Sequence, residues 1–398
     1  MKNFVFISPH FPDSFYRFVV ALKKNGFRVL GIGDSPYDAI PSELKESLTE
    51  YYMCNDMDYF DNEVNAVRYF ENKYGHIDYL ESNNEYWLEK DAKLREIFCI
   101  TTGPVGEEIE FYQHKSLMKI GYKKAGAKVA DFILFESREQ LEEFVKKVGY
   151  PVFIKPDKGV GAEETFKIEK PADIDYFFQN KQENVVYICE QFVAGNIISF
   201  DGICDSKSNV VFCTSNFFPP SIADIVHEKK DVFYFTYPKA PEDLEKLGRK
   251  VIKAFGVKQR FFHLEFFRLT ADVKGLGKVG DIVPLETNMR PAGGYTPDLI
   301  NFATSSNVYQ IYADVMAFDE NRQKDEFDHY YAPVASRRDE FSYLHSDEDV
   351  LNKYKGIICN HGRYAPVFSG AMGNRYFMAR FKTMKEVEEF RDYIEARA

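Results

Sequence analysis

Hydrophobic positions in the first quarter of the chain alternate between compact runs and helical spacing. NFVFIS (3–8) is a short apolar run, and FYRFVVALKKNGF (15–27) repeats its apolar residues at helical intervals before Gly26. RVLGIGD (28–34) then reads as a second strand closed by a glycine turn. With further strands predicted at HIDYLES (76–82) and IFCITTG (97–103), the β-α-β order predicts an open parallel sheet over about the first 105 residues. Ligands of such sheets gather beyond the carboxyl ends of the strands, which puts residues 8–10 and 81–85 beside a site. GIGD lacks the GxGxxG pattern of a dinucleotide turn.

Further along, a helical pattern runs over 107–124 towards Gly126. SREQLEEFVKKVG (137–149) predicts an amphipathic helix capped by Ser137 and ended by Gly149. YPVFIKPDKGVGAEETFKI (150–168) reads as strand, glycine-rich loop, strand. ADIDYFFQN (172–180) predicts a helix, and VVYICEQFVAG (185–195) a strand leading into an irregular link. A larger mixed region follows, in which RFFHLEFFRL (260–269) and DIVPLETNMR (281–290) predict an antiparallel pair whose polar faces meet.

Composition narrows the function classes. The 398 residues are 45% hydrophobic and 28% charged, with 37 Phe and 26 Tyr, which excludes a disordered chain. A net charge of −11 argues against a general nucleic-acid surface but leaves room for a small basic pocket. The six cysteines show no CxxC spacing and predict reduced thiols in a cytoplasmic protein. MKNFVFISPHFPDSF reads as a first strand rather than a signal peptide, and no run reaches the roughly 18–20 apolar residues of a membrane span.

The chemistry concentrates in a few stretches. In VPLETNMRPAGG (283–294), Glu286, Asn288 and Arg290 alternate and so share one face of a strand, presenting a carboxylate, an amide and a guanidinium. Lys155 ends the apolar strand PVFIK, and Gly159 and Gly161 follow as backbone able to cover phosphate oxygens. The same stretch also reads as a hairpin whose lysine snorkels to water. His263 and Glu265 share a face of FFHLEFF, and Glu286 can approach Glu265 across the hairpin. Two close carboxylates need a proton or a cation between them. Mg²⁺ bridging ATP phosphates, with Asn288 as a further oxygen ligand, meets that need. Neutralisation of one Glu by Arg290 in a purely structural network is the alternative.

YPVFIKPDKGVGA, YICEQFV, HLEFF and LETNMRPAGG, in that order, resemble the ATP-grasp superfamily. The likeness is to the biotin carboxylase and carbamoyl phosphate synthetase branch and to the carboxylate–amine ligases, over nearly the whole chain. The resemblance implies an α/β architecture in three parts: a Rossmann-like domain over 1–106, a small lid with its linking helix over 107–193, and a larger mixed α/β unit over 194–398 carrying the metal and substrate site. It implies that Lys155 holds phosphate oxygens and that Lys115, in QHKSLMKIGYKKAG, also contacts ATP. Glu190 would meet the adenine amino group, and the backbone of Gln191 and Val193, with Phe192 between them, the adenine edge. Glu265, Glu286 and Asn288 would bind Mg²⁺, with Mn²⁺ admitted as a substitute, and Arg290 would stabilise the phosphate in transfer. The chain departs from the family pattern at Ile197, where an acidic ribose contact is common; that contact stays unassigned, with Asp201 as a candidate. It departs again at His114, where many members have Asp, and Glu163 and Glu164 follow the glycine loop.

The resemblance implies an ATP-dependent carboxylate–amine ligase that forms an amide or peptide bond through an acyl phosphate. Its substrates would be small carboxylates and amines, amino acids among them, with no nucleic-acid or membrane partner and a homodimer left open. Carboxyphosphate chemistry and a non-catalytic ATP sensor are the alternatives; a second ATP-grasp half and a biotinyl-carrier segment are both missing from the sequence. His227, Lys229 and Lys230 border the acceptor site or lie in a solvated loop. His361 and Arg363 contact a substrate carboxylate or solvent.

Overall fold

Strand β1 (Asn3–Ile7) is buried at all five positions, the mark of a strand covered on both faces. In the computed structural model, which describes residues 1–159, 165–218, 231–324 and 328–398, it lies inside a parallel sheet. Its companions are β2 (Arg28–Gly33), β3 (Glu50–Met53) and β4 (Tyr79–Glu81), in the order β3-β2-β1-β4. The strand expected at IFCITTG is not one. Ile97 ends the helix Leu88–Ile97, Cys99 turns the chain at φ 52°, and Phe98 and Ile100 drop into the core. A short apolar run at a helix end buries its side chains as a strand would, so periodicity does not separate the two. The missing strand is EYYM, whose half-buried pattern is weaker.

The helical pattern over 107–124 is two helices, Glu107–Gln113 and Lys115–Lys124, broken at His114. His114 takes an extended conformation and bridges Lys158, while the Lys115 amide donates to the Asp157 carbonyl at 2.9 Å. The break therefore couples the start of the second helix to the chain beyond Lys155. Gly121 lets that helix approach the helix Glu242–Phe255, since a Cβ there would lie 2.4 Å from the Phe255 ring.

A second sheet contains β5 (Phe132–Leu134), β6 (Val152–Pro156), β7 (Phe166–Ile168) and β8 (Tyr187–Gln191), in the antiparallel order β5-β8-β6-β7. The helices Arg138–Val148 and Pro171–Asn180 bury Leu141, Phe144, Ile174 and Phe177 in a core with it. Ser137 caps the first of these in a capping box with Gln140, as its sequence predicts.

The third sheet is the largest. Among the described residues it holds β9 (Gly195–Cys204), β10 (Val210–Thr214), β11 (Asn216–Phe218), β12 (Phe233–Thr236), β13 (Arg260–Leu269), β14 (Ile282–Asn288), β15 (Ala332–Arg337), β16 (Ile358–Arg363) and β17 (Arg375–Ala379). Its path is β14-β13-β9-β11-β12-β15-β17-β16, with β10 paired to β9. All six cysteines are free. No helix among the described residues is long and apolar enough to cross a membrane.

Candidate active site

The antiparallel pairing of β13 and β14 sets Glu265 directly opposite Glu286 and His263 opposite Asn288. An irregularity in the register follows Glu265, so that Phe266 faces Pro284 and β14 carries one extra residue there. The two carboxylates expected to meet across this hairpin are thus placed face to face, both partly exposed. The Glu286 carboxylate takes the Lys115 ammonium at 3.4 Å.

His263 is buried between two acids, its Nδ1 2.6 Å from Asp201 Oδ1 and its Nε2 3.0 Å from Glu265 Oε1. Burial disfavours the imidazolium, but the charges and hydrogen bonds of Asp201 and Glu265 outweigh it and raise the His263 pKa to about 9. Burial likewise opposes ionisation of Glu265, and His263, Arg290 and Lys155 together hold its carboxyl below its ordinary range. His263 therefore orients Glu265 and compensates its charge. Asp201 is committed to this chain, with Ser199 and the Asn216 amide (2.8 Å) as its other partners, and is 1% exposed. That leaves its carboxylate no surface for a ribose.

Three lysines converge from two elements. Lys115 and Lys119 lie four apart on one helix and so share its face. Lys155 comes from β6, where the register pairs it with Ile188 and Phe153 with Glu190, making Lys155 and Glu190 diagonal neighbours. The Lys115 Nζ donates to the Gly159 carbonyl at 3.0 Å. Lys155 Nζ lies 2.5 Å from one oxygen of Glu190, and Lys119 pairs with the other. Burial works against the charge of Glu190, and Lys119 and Lys155 overcome it, holding the carboxyl far below the usual range. Burial also opposes the Lys155 charge, yet Glu190 and Glu286 raise its pKa above the ordinary value.

Asp157 fastens this arrangement. Its Oδ1 accepts from the Ser116 amide at 2.8 Å, and its Oδ2 contacts the Ser116 hydroxyl at 2.9 Å and His114 Nδ1 at 2.8 Å. It caps the Lys115 helix from the segment that follows Lys155.

Arg290 lies just past β14. Its Nη1 donates to the Pro291 carbonyl at 2.8 Å, its Nη2 to Asn288 Oδ1 at 3.4 Å, and its Nε stands 3.3 Å from Glu85 Oε2. Glu85 follows β4, so the carboxyl end of the parallel sheet does reach the site; burial raises its pKa despite Arg290 beside it. His10, also expected near the site, pairs instead with Asp34 at 3.1 Å.

The adenine-side residues are spread along one edge. The Gln191 amide donates to the Asp131 carbonyl at 2.8 Å. Phe192 packs on Phe153 with ring centroids 5.9 Å apart. Val193 is buried with Ala130, Leu269, Leu276 and Val283. His361 and Arg363 are exposed, and Arg363 pairs with Asp339. Gly161, Glu163, Glu164, His227, Lys229 and Lys230 lie outside the described residues.

Lys119 and Asp157 also belong to this arrangement, and neither is among the residues expected from the sequence. Lys119 carried a signal, its spacing of four from Lys115; Asp157 carried none beyond following Lys155 closely. Among the described residues no three His, Cys, Asp or Glu side chains are gathered into a metal cage. The set Glu265, Glu286 and Asn288 is instead two carboxylates and an amide, all oxygen donors, which fits a hard cation that keeps water or phosphate as its remaining ligands.

No protein-family model matches the chain. Over 229 residues it is 24% identical to the L-arginine-specific L-amino acid ligase of Bacillus subtilis, a match covering 56% of this chain and 53% of that one. The chain thus spans about half the length of that curated relative. Among solved structures, the L-amino acid ligase from Bacillus licheniformis superposes with a TM-score of 0.74 at 16% identity, covering 98% of this chain and 96% of that one. The biotin carboxylase domain of the Hydrogenobacter thermophilus 2-oxoglutarate carboxylase, solved with MgADP and bicarbonate, gives 0.70 at 17% identity, covering 99% and 90%. The chain has the ATP-grasp fold expected from its motifs.

Proposed function

We propose that this protein is an ATP-dependent carboxylate–amine ligase, forming an amide or peptide bond with ADP and phosphate as co-products. The observation that carries the reading is the facing pair Glu265 and Glu286, with Lys115, Lys155 and Arg290 around it, in an ATP-grasp fold. Similarity to amino acid ligases in both sequence and structure supports amino acids as the substrates.

A carboxylate resists attack by an amine because it is already anionic. Transfer of the γ-phosphoryl group of ATP to a carboxylate oxygen makes an acyl phosphate; the amine then forms the C–N bond as the C–O bond to phosphate breaks, and the amine proton leaves to solvent or a base. Glu265, Glu286 and Asn288 would hold Mg²⁺, and Mn²⁺ suits the same oxygen donors. The bound cation would neutralise phosphate charge and align its oxygens. Lys115 and Lys155 bind phosphate oxygens, and Arg290 stabilises charge that grows on the phosphoryl group in transfer. Most of the acceleration would be positioning and electrostatics, supplied by side chains held in place before substrate arrives.

In functional terms we divide the chain at 106 and 193. Residues 1–106 border the site through Glu85, residues 107–193 cover the nucleotide, and residues 194–398 carry the metal ligands. Phosphate release with Mg²⁺ and ATP, screened over pairs of amino acids and small acids, tests the reading. Release that requires one acid and one amine together, with the amide found by mass spectrometry, is the expected result. Release driven by bicarbonate would point to carboxyphosphate chemistry, and nucleotide binding without turnover under any pair to a sensor.

A further inference from the structure

We infer that Lys119 and Glu190 are a charge-balancing pair whose task is to leave the Lys155 ammonium available to the nucleotide's phosphates. The inference rests on the ATP-binding reading above and goes beyond it by giving Lys119 a role and Glu190 a different one from an adenine contact.

The geometry runs from one carboxylate. Glu190 is 6% exposed and both of its oxygens are taken, one by Lys119 and the other by Lys155 at 2.5 Å. Lys119 is 1% exposed, so its ammonium reaches neither solvent nor a ligand as it stands. A buried ammonium with a single carboxylate partner is costly to place. Here it has a function that its neighbours define. Two positive charges on one negative leave a net charge of +1, and of the two lysines only Lys155 is partly exposed. Incoming phosphate oxygens draw Lys155 away while Lys119 keeps Glu190 paired. Without Lys119, Lys155 and Glu190 would form a closed neutral pair, and the phosphate would have to break it and leave a buried carboxylate alone. Burial depresses the Lys119 pKa, and the close pairing with Glu190 opposes that shift. Lys119 is thus a positioning residue, acting on Lys155 through Glu190.

The test is a double-mutant cycle read by calorimetric binding of MgADP and MgATP, with thermal melts as the control for folding. Lys119→Met keeps volume and leaves Glu190 paired with Lys155, so the variant should fold and bind nucleotide about tenfold or more weakly. Lys119→Met with Glu190→Gln removes both charges and should restore affinity to within about threefold of the parent. A merely structural Lys119 would lower the melting temperature and leave the affinity of the folded protein alone; that result overturns the inference. So does a double variant that binds no better than Lys119→Met.

If Lys119→Met does not fold, Glu190→Gln alone decides, using inosine triphosphate, which lacks the 6-amino group of ATP. The expected outcome is an ATP-to-inosine-triphosphate preference unchanged within about twofold, because the carboxylate faces lysines rather than the base. Collapse of that preference would restore the adenine contact and sink the inference. Failure of the parent protein to bind MgADP at all would overturn the ATP-grasp reading itself, a separate result from unchanged binding in Lys119→Met.

Discussion

Glu286 and Arg290 are four residues apart in sequence and should fail differently when replaced. Glu286 faces Glu265 across the hairpin and takes Lys115, whereas Arg290 contacts Asn288 and Glu85. Glu286→Gln keeps shape but removes a charge, so turnover should need more Mg²⁺, seen as a higher half-saturating concentration. Arg290→Ala should leave nucleotide affinity within a few-fold and cut turnover by about 10²-fold or more, as loss of a donor to transition-state charge does. Normal turnover of both variants at limiting Mg²⁺ would end the catalytic assignment. Away from the site, Glu63 is a buried acid with neither oxygen hydrogen-bonded and Lys90 at 3.9 Å. Burial raises its pKa to about 8, partly opposed by Lys90. The folded protein then holds a proton that the unfolded chain has lost, from the ordinary value of 4.5 up to about 8. Stability from this group is present below pH 4.5 and is lost as pH rises through that window, by at most about 1.4 kcal/mol per pH unit. Glu63→Gln should raise the melting temperature at pH 8 and flatten its decline; a variant that melts lower than the parent at pH 8 would refute this.

Among elements, the helix Lys115–Lys124 depends most on a residue outside itself. Its N-cap His114 makes no side-chain cap, and Asp157, from the segment after β6, supplies the acceptor for the Ser116 amide. Asp157→Ala should therefore cost about 1–2 kcal/mol in denaturant unfolding, the usual worth of a lost cap. It should also weaken nucleotide binding, because Lys115 starts this helix. A binding loss without any stability loss would mean that Asp157 meets the ligand rather than the helix. Packing of the same helix on Glu242–Phe255 through Gly121 fixes its rotation, and with it the direction in which Lys115 and Lys119 point.

On the scale of the molecule, the three sheets meet around one cluster. The carboxyl end of the parallel sheet contributes Glu85, the second sheet Lys155 and Glu190, and the third Glu265, Glu286 and Asn288. We expect the unit built on β5–β8 to close over nucleotide, since it has its own core and carries Lys155, which the proposed function assigns to the phosphates, and Gly159. Hydrogen exchange should then slow around Lys155 and Gly159 when a non-hydrolysable ATP analogue and Mg²⁺ are added. Protection confined to β13 and β14 would argue for a cover that does not move.

Much of this was legible in the residue pattern, because local physics leaves a local trace. Alternation along 260–269 and 281–290 predicted a hairpin with Glu265 near Glu286, and the pleat of paired strands placed them opposite each other. The capping box at Ser137 and the apolar β1 were equally readable. What the pattern lacked was anything set by sequence-distant neighbours. IFCITTG buries its apolar residues at a helix end, and EYYM becomes a strand only because β2 offers an edge. The helical period over 107–124 continues through His114, yet the chain breaks there because Asp157 and Lys158 pair with it from 43 and 44 residues away. Glu190 reads as a strand carboxylate in sequence; Lys119 and Lys155, from a helix and a neighbouring strand, decide what it holds. Periodicity records which face a side chain takes, while its partner is chosen by packing between elements, and that choice exists only once the chain has folded.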